Sequence, residues 1–214
     1  MATFEKGIVG GFSGKVGPIV GSSFRGLDVL KSKPKKSNKP PTPEQEMYRM
    51  RFGLTVRFLS PLKRIITRGY GNSEGTKSKL NQCISYHAQN ALTGDFPDLA
   101  INFSKVILTK GELDGANNST VSVSDAATVN FSWTDNSGLG LNKATDLVVM
   151  AVYIPSKERH ALLIGPSDRA SQSGTIVLPV DYPGETVHCW MAFVSADGKA
   201  ASTSNYLGAF NFPL

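Results

Sequence analysis

The sequence predicts an α+β protein built from a Gly-rich N-terminal β arm, a two-helix segment and a C-terminal antiparallel β-sandwich. Three observations predict this class. Seven glycines fall between residues 7 and 26, a density that precludes a stable helix. Apolar residues then recur every three or four positions from Met47 to Ile65, which is a helical period. From about residue 101 the period changes to two, and short apolar runs alternate with Gly, Pro, Asn and Asp clusters.

The charge divides along the chain as the patterns do. Residues 1–90 carry sixteen Lys and Arg against five Asp and Glu (+11), and residues 91–214 carry seven against twelve (−5). A basic arm-and-helix part joined to an acidic β part points to binding or assembly more than to catalysis.

Residues 1–30 are read as the arm. Ile8, Val9, Phe12, Val16, Ile19, Val20 and Phe24 give it β-prone apolar anchors between the glycines. A phosphate-cradling loop is disfavoured, because Gly14-Lys15 is followed by Val16 instead of Ser or Thr and Val9 stands where the first glycine of such a loop belongs. Residues 31–41 hold five lysines (Lys31, Lys33, Lys35, Lys36, Lys39) and three prolines with no apolar side chain, the composition of a solvated linker or a polyanion contact.

Residues 42–115 are read as a basic helical segment with a following strand. Thr42 is the expected N-cap, Pro43 the first helical residue and Gln45 the capping-box partner. Met47, Met50, Leu54, Phe58 and Leu62 or Ile65 make the apolar stripe, Pro61 kinks or restarts it and Gly69 ends it. The polar side carries Arg49, Arg51, Arg57, Lys63, Arg64 and Arg68, while Glu44 and Glu46 sit in the first turn where the helix dipole favours them. A second helix is expected over 76–93, with Leu80, Ile84, His87 or Ala88 and Ala91 on one side and Gly94 as its stop; His87 is expected as a core or edge histidine.

The remaining strands are expected at Ile101 to Leu108, 121–123, 128–133, 147–154, 160–164, 175–180, 187–195 and 201–210, separated by turn clusters such as Asp135-Asn136-Ser137-Gly138 and Pro183-Gly184. Regular short strands of this kind indicate a sandwich.

Within residues 118–212, Val129-Asn-Phe-Ser-Trp133, the run 147–153 and Thr186 through Ser204 resemble strands B, C and F–G of a fibronectin type III domain. The resemblance implies that Trp133 is the core tryptophan packed between two sheets. Over nearly its full length the chain also resembles a family of uncharacterised Bacteroidota proteins with a domain of unknown function. Gly11-Phe-Ser-Gly-Lys-Val-Gly17, Val20-Gly-Ser-Ser-Phe-Arg-Gly26, Lys33-Pro-Lys-Lys36, Thr42-Pro-Glu-Gln45 with Arg49 and Phe52, and Tyr206-Leu-Gly208 carry it. That family implies no activity. The spacing of Pro40, Thr42, Gln45, Arg49 and Phe52 is similar to helix starts in phage-like structural proteins.

No reaction can be assembled from the titratable residues. His87, His160 and His188 are far apart in the chain and match no metal-ligand spacing, and Cys83 and Cys189 lack a CxxC or CxxH partner. His188 and Cys189 are strand neighbours whose side chains point to opposite faces. No catalytic residue, metal or cofactor is therefore expected. The leading expectation is a structural protein that self-associates, or joins a larger, phage-like or surface particle, through its arm and basic helix. The alternative is sequence-nonspecific nucleic-acid binding by residues 31–79, and a third reading is an adhesion or carbohydrate-binding module using Trp190 and Tyr206. With no signal-like N-terminus and no run long enough to span a bilayer, residence in the cytoplasm is the default expectation, with signal-less export or a particle as the other sites of action.

Overall fold

Gly17 and Gly26 hold φ of +58° and +80° and close two tight turns, a conformation glycine adopts without strain. Around them the first of two compact units, residues 1–42, forms an antiparallel sheet. The computed structural model describes residues 2–3, 13–24, 26–35, 39–71 and 77–214; Ile8, Val9, Phe12 and Lys36 lie outside the described residues. Strands β1 (Ala2–Thr3), β2 (Gly14–Val16), β3 (Ile19–Phe24) and β4 (Leu27–Ser32) lie in the order β1-β4-β3-β2. Lys31 and Ser32, read as the start of the linker, end β4 and pair with Val20 and Ile19.

The second unit, residues 43–214, begins with α1 (Pro43–Leu59), a 3-10 turn at Ser60–Leu62 around Pro61, and α2 (Lys63–Gly69). Proline lacks the N–H that a continuous helix needs at that point. Helix α3 (Lys79–Asn90) follows, with the Ser78 hydroxyl accepting from the Asn81 N–H as its cap. The buried side of α1 differs from the expected stripe. It comprises Thr55, Phe58 and Leu59, continued by Leu62, Ile65 and Ile66, whereas Met50 is exposed and Met47 and Leu54 are half-buried. The apolar burial of this helix is concentrated in its C-terminal half.

The strand expected over Ile101 to Leu108 is also corrected. Only β5 (Leu92–Thr93) and β6 (Ala100–Ile101) pair, and Phe103–Lys105 is a 3-10 turn. The backbone donors that follow are taken by side chains instead of a strand ladder. Ile107 N–H donates to His87 Nε2, and Leu108 N–H donates to Ser204 Oγ.

The sandwich uses β7 (Asn117–Val123), β8 (Thr128–Thr134), β9 (Leu147–Ile154), β10 (Arg159–Asp168), β11 (Ser173–Val177), β12 (Thr186–Val194) and β13 (Asn205–Asn211). One sheet has the order β11-β8-β7 and the other β10-β9-β12-β13, and every pairing within them is antiparallel. A bulge between Cys189 and Trp190, opposite Leu207, is accommodated by Gly208 at φ +117°. Between the sheets lie Val129, Phe131 and Trp133 of β8, Val148, Met150 and Val152 of β9, and Cys189, Met191 and Phe193 of β12. The Trp133 ring meets Phe193 edge-on at 5.8 Å, and its Nε1–H donates to the Arg169 carbonyl.

The alternate residues of β9 and β12 face the other way. Val149, Ala151, Tyr153, Trp190, Ala192 and Val194 pack in a second core with Phe58, Leu59, Leu62, Ile65 and Ile66 of the helical layer. The boundary expected between helical segment and sandwich at residues 115/116 thus falls inside one unit with a shared core.

Two polar features are built into this unit. The fully buried Arg169 guanidinium pairs with the equally buried Asp146 at 3.2 Å, donates to Asn136 Oδ1 and the Asp114 carbonyl, and lies over the Phe193 ring at 3.9 Å. It thereby ties together the loops before β7, after β8 and after β10. The three histidines all belong to the helix-facing core. His160 and His188 flank Tyr153 across the sheet, with His160 against Phe58 and His188 stacked on Phe103 at 3.9 Å. His87 donates from Nδ1 to the Cys83 carbonyl and accepts at Nε2 from Ile107, so the ring is neutral.

Arg169→Ala is expected to destabilise the protein by about 3–5 kcal/mol, since it strands the Asp146 carboxylate in the interior; the urea unfolding midpoint measures this. A second expectation concerns pH. Burial pushes the His160 pKa down to about 4 and lowers those of His87 and His188. The unfolded chain binds protons from about pH 6.5 downward while the folded one does not, so stability drops as pH falls from 6.5 towards 4. His160 alone contributes about 2 kcal/mol of loss by pH 5, and His160→Phe should flatten that part of the urea-derived stability profile.

Candidate binding surfaces

In the sheet of the first unit Val29 is the buried hydrophobe among the described residues and Val20 is half-buried, while Val16 (62%), Ile19, Phe24 (58%) and Leu27 are exposed. The three-residue strand β2 stands at the end of the described sheet order. Exposed apolar side chains beside a strand edge are a surface suited to another chain.

Two of the arginines of α1 are engaged within the second unit. Arg51 donates through Nε and Nη2 to the Ala88 carbonyl, at 3.3 and 2.8 Å, and so fastens α1 to α3. Arg57 meets Glu158 at 3.5 Å in an exposed pair, which contributes little. Arg49, Lys63 and Arg64 are exposed with no ion pair among the described residues. Arg68 is half-buried and lies against Gly198, where an added Cβ would stand 3.1 Å from its Nε. In the first unit Lys31, Lys33, Lys35 and Lys39 are exposed.

A surface that the sequence reading did not single out lies on the second unit. Met47, Tyr48 and Phe52 of α1 face Ile84 and Ala88 of α3 across an open groove of about 880 Å³, with Arg51 crossing it. Tyr48 and Phe52 are 65% and 57% exposed. Their spacing of four residues was the available signal, since it marks a second apolar stripe beside the buried one.

The thiols are unsuited to nucleophilic chemistry at neutral pH, because burial pushes both Cys83 and Cys189 up to about 12. Cys189 points between the sheets, and the adjacent His188 points to the opposite face, where its Nδ1 meets the Tyr206 hydroxyl at 2.7 Å. Trp190 is buried beneath Phe58 and Phe103, so it offers no aromatic platform to a sugar. Among the described residues no helix is long and apolar enough to cross a membrane.

No curated protein matches the chain. Among solved structures it is similar to the chicken CNTN1 FN1-FN3 domains at 7% identity and TM-score 0.36, covering 50% of this chain and 34% of that one; the chain thus spans about a third of that structure's length. It is similar to the fn3 domain of human collagen alpha-1(XX) chain at 12% identity and TM-score 0.36, covering 49% of this chain and 90% of that one. The fn3 domain of human contactin 1 is similar at 10% identity and TM-score 0.35, covering 56% and 91%. Residues 11–208 match the family of unknown function DUF6266, and the chain belongs to that family.

Proposed function

We propose that the protein is a non-catalytic assembly protein whose N-terminal sheet joins it to further copies of itself or to a larger particle. The observation that carries this reading is the first unit, residues 1–42, which is compact yet leaves Val16, Ile19, Phe24 and Leu27 exposed. A unit of that size buries too little apolar surface to be stable on its own, and an oligomer interface supplies the missing burial. The apolar groove at Tyr48 and Phe52 gives the second unit an exposed surface of similar character. The opposite charges of the two halves of the chain, +11 and −5, favour head-to-tail contacts between copies. Nucleic-acid binding along residues 31–79 is the weaker reading, because Arg51 is engaged within the chain.

The test is multi-angle light scattering on the full chain at high concentration, beside Val16→Lys and Phe24→Asp combined. Masses above the 23.0 kDa monomer that fall to monomer in the variant are expected. A wild-type protein that remains monomeric throughout would contradict homo-assembly. The thermal midpoint of the second unit should be the same in both, since neither substitution touches its core.

A further inference from the structure

Four cations that are scattered in sequence converge on one cleft of the second unit. Arg68 at the end of α2, Lys79 at the start of α3, Lys110, and Lys199 after β12 line a space of about 580 Å³. Among the described residues Glu112 is the acid that lines the same space, so the described lining carries an excess of three positive charges. None of the four cations has an ion pair among the described residues. Lys79 Nζ donates to the Arg68 carbonyl at 3.3 Å, and its remaining protons are uncommitted there. Asp197, close to Lys199, accepts from the Ser195 hydroxyl and the Lys199 backbone N–H.

The cleft is rigidly framed. Gly71 N–H donates to the Lys110 carbonyl and Lys110 N–H to the Gly69 carbonyl, while Leu113 N–H donates to the Ala201 carbonyl. Three chain segments therefore meet backbone to backbone. Gly111 makes this approach possible, since a Cβ there would stand 2.2 Å from the Ala201 carbonyl oxygen. Arg68 runs beside Gly198, where an added Cβ would stand 3.1 Å from its Nε. The wall from α3 presents Gln82, whose amide nitrogen is buried and donates to no group among the described residues, together with the Tyr86 ring. Such a lining is rich in donors and poor in acceptors, which is what a multiply charged oxyanion requires.

We propose that this cleft binds a small phosphorylated compound, with Arg68, Lys79, Lys110 and Lys199 holding the phosphate oxygens and Gln82 donating from the wall. The volume falls in the range of small-ligand sites. A polynucleotide fits less well, because the cations converge on a bounded cleft and do not continue as a track along α1. All of its lining residues belong to the second unit.

The test is isothermal titration calorimetry of the full-length protein at low salt with inorganic pyrophosphate, and separately with a 20-residue thymidine oligonucleotide. Pyrophosphate should bind at one saturable site per chain. Lys110→Gln and Lys199→Gln, both exposed positions whose substitution leaves the cores intact, should each weaken it about tenfold, and Lys63→Gln on α2 should leave it unchanged. Absence of saturable pyrophosphate binding, equal affinity in the Lys110 and Lys199 variants, or binding of the oligonucleotide without pyrophosphate would each overturn the proposal.

Discussion

The structure of the larger unit depends on two strands being buried on both faces. β9 and β12 are hydrogen-bonded neighbours at the centre of their sheet, and their side chains alternate between two cores. Met150 and Val152 pack between the sheets, whereas Val149, Ala151 and Tyr153 face the helices. Each large apolar side chain moved from water into such a core contributes roughly 1.5–3 kcal/mol. Removing the helical layer would expose one of these faces, so the helices and the sandwich are energetically one body despite their different patterns in sequence.

That shared core also explains where polar groups are placed. The histidines sit in the layer between helices and sheet, where they are held neutral by burial, and His87 completes the hydrogen bonding of the irregular segment after β6. Arg169 performs a comparable task at the end of the sandwich, joining loops that share no secondary structure. Both are cases in which a buried polar side chain replaces a missing backbone ladder.

The candidate binding surfaces follow from what these cores leave uncovered. The C-terminal half of α1 is drawn into the helix-facing core, and its N-terminal half lines a groove with α3 in which Tyr48 and Phe52 are exposed. The close approach at Gly69, Gly111 and Ala201 brings the ends of separate elements together and gathers their lysines around one cleft.

Periodicity and punctuation in the sequence determined the elements themselves: the strands of the sandwich, the helices on either side of Pro61, and the Gly-rich N-terminal β segment. These are local properties, set by alternation, by proline's missing donor and by glycine's access to positive φ. The nearly unbroken apolar runs at 147–154 and 187–194 also carried the information that both faces are covered, but alternation alone does not say by what. Only the tertiary structure decided that the cover is the helical layer, that Met50 and Phe52 lie outside it, and that Ile101 to Leu108 is not a strand. It also decided that Arg68, Lys79, Lys110 and Lys199 are neighbours. The physical reason is that each of these outcomes rests on contacts between residues distant in the chain, such as His87 with Ile107 and Ser204 with Leu108, and no local pattern encodes which distant partner a side chain will meet.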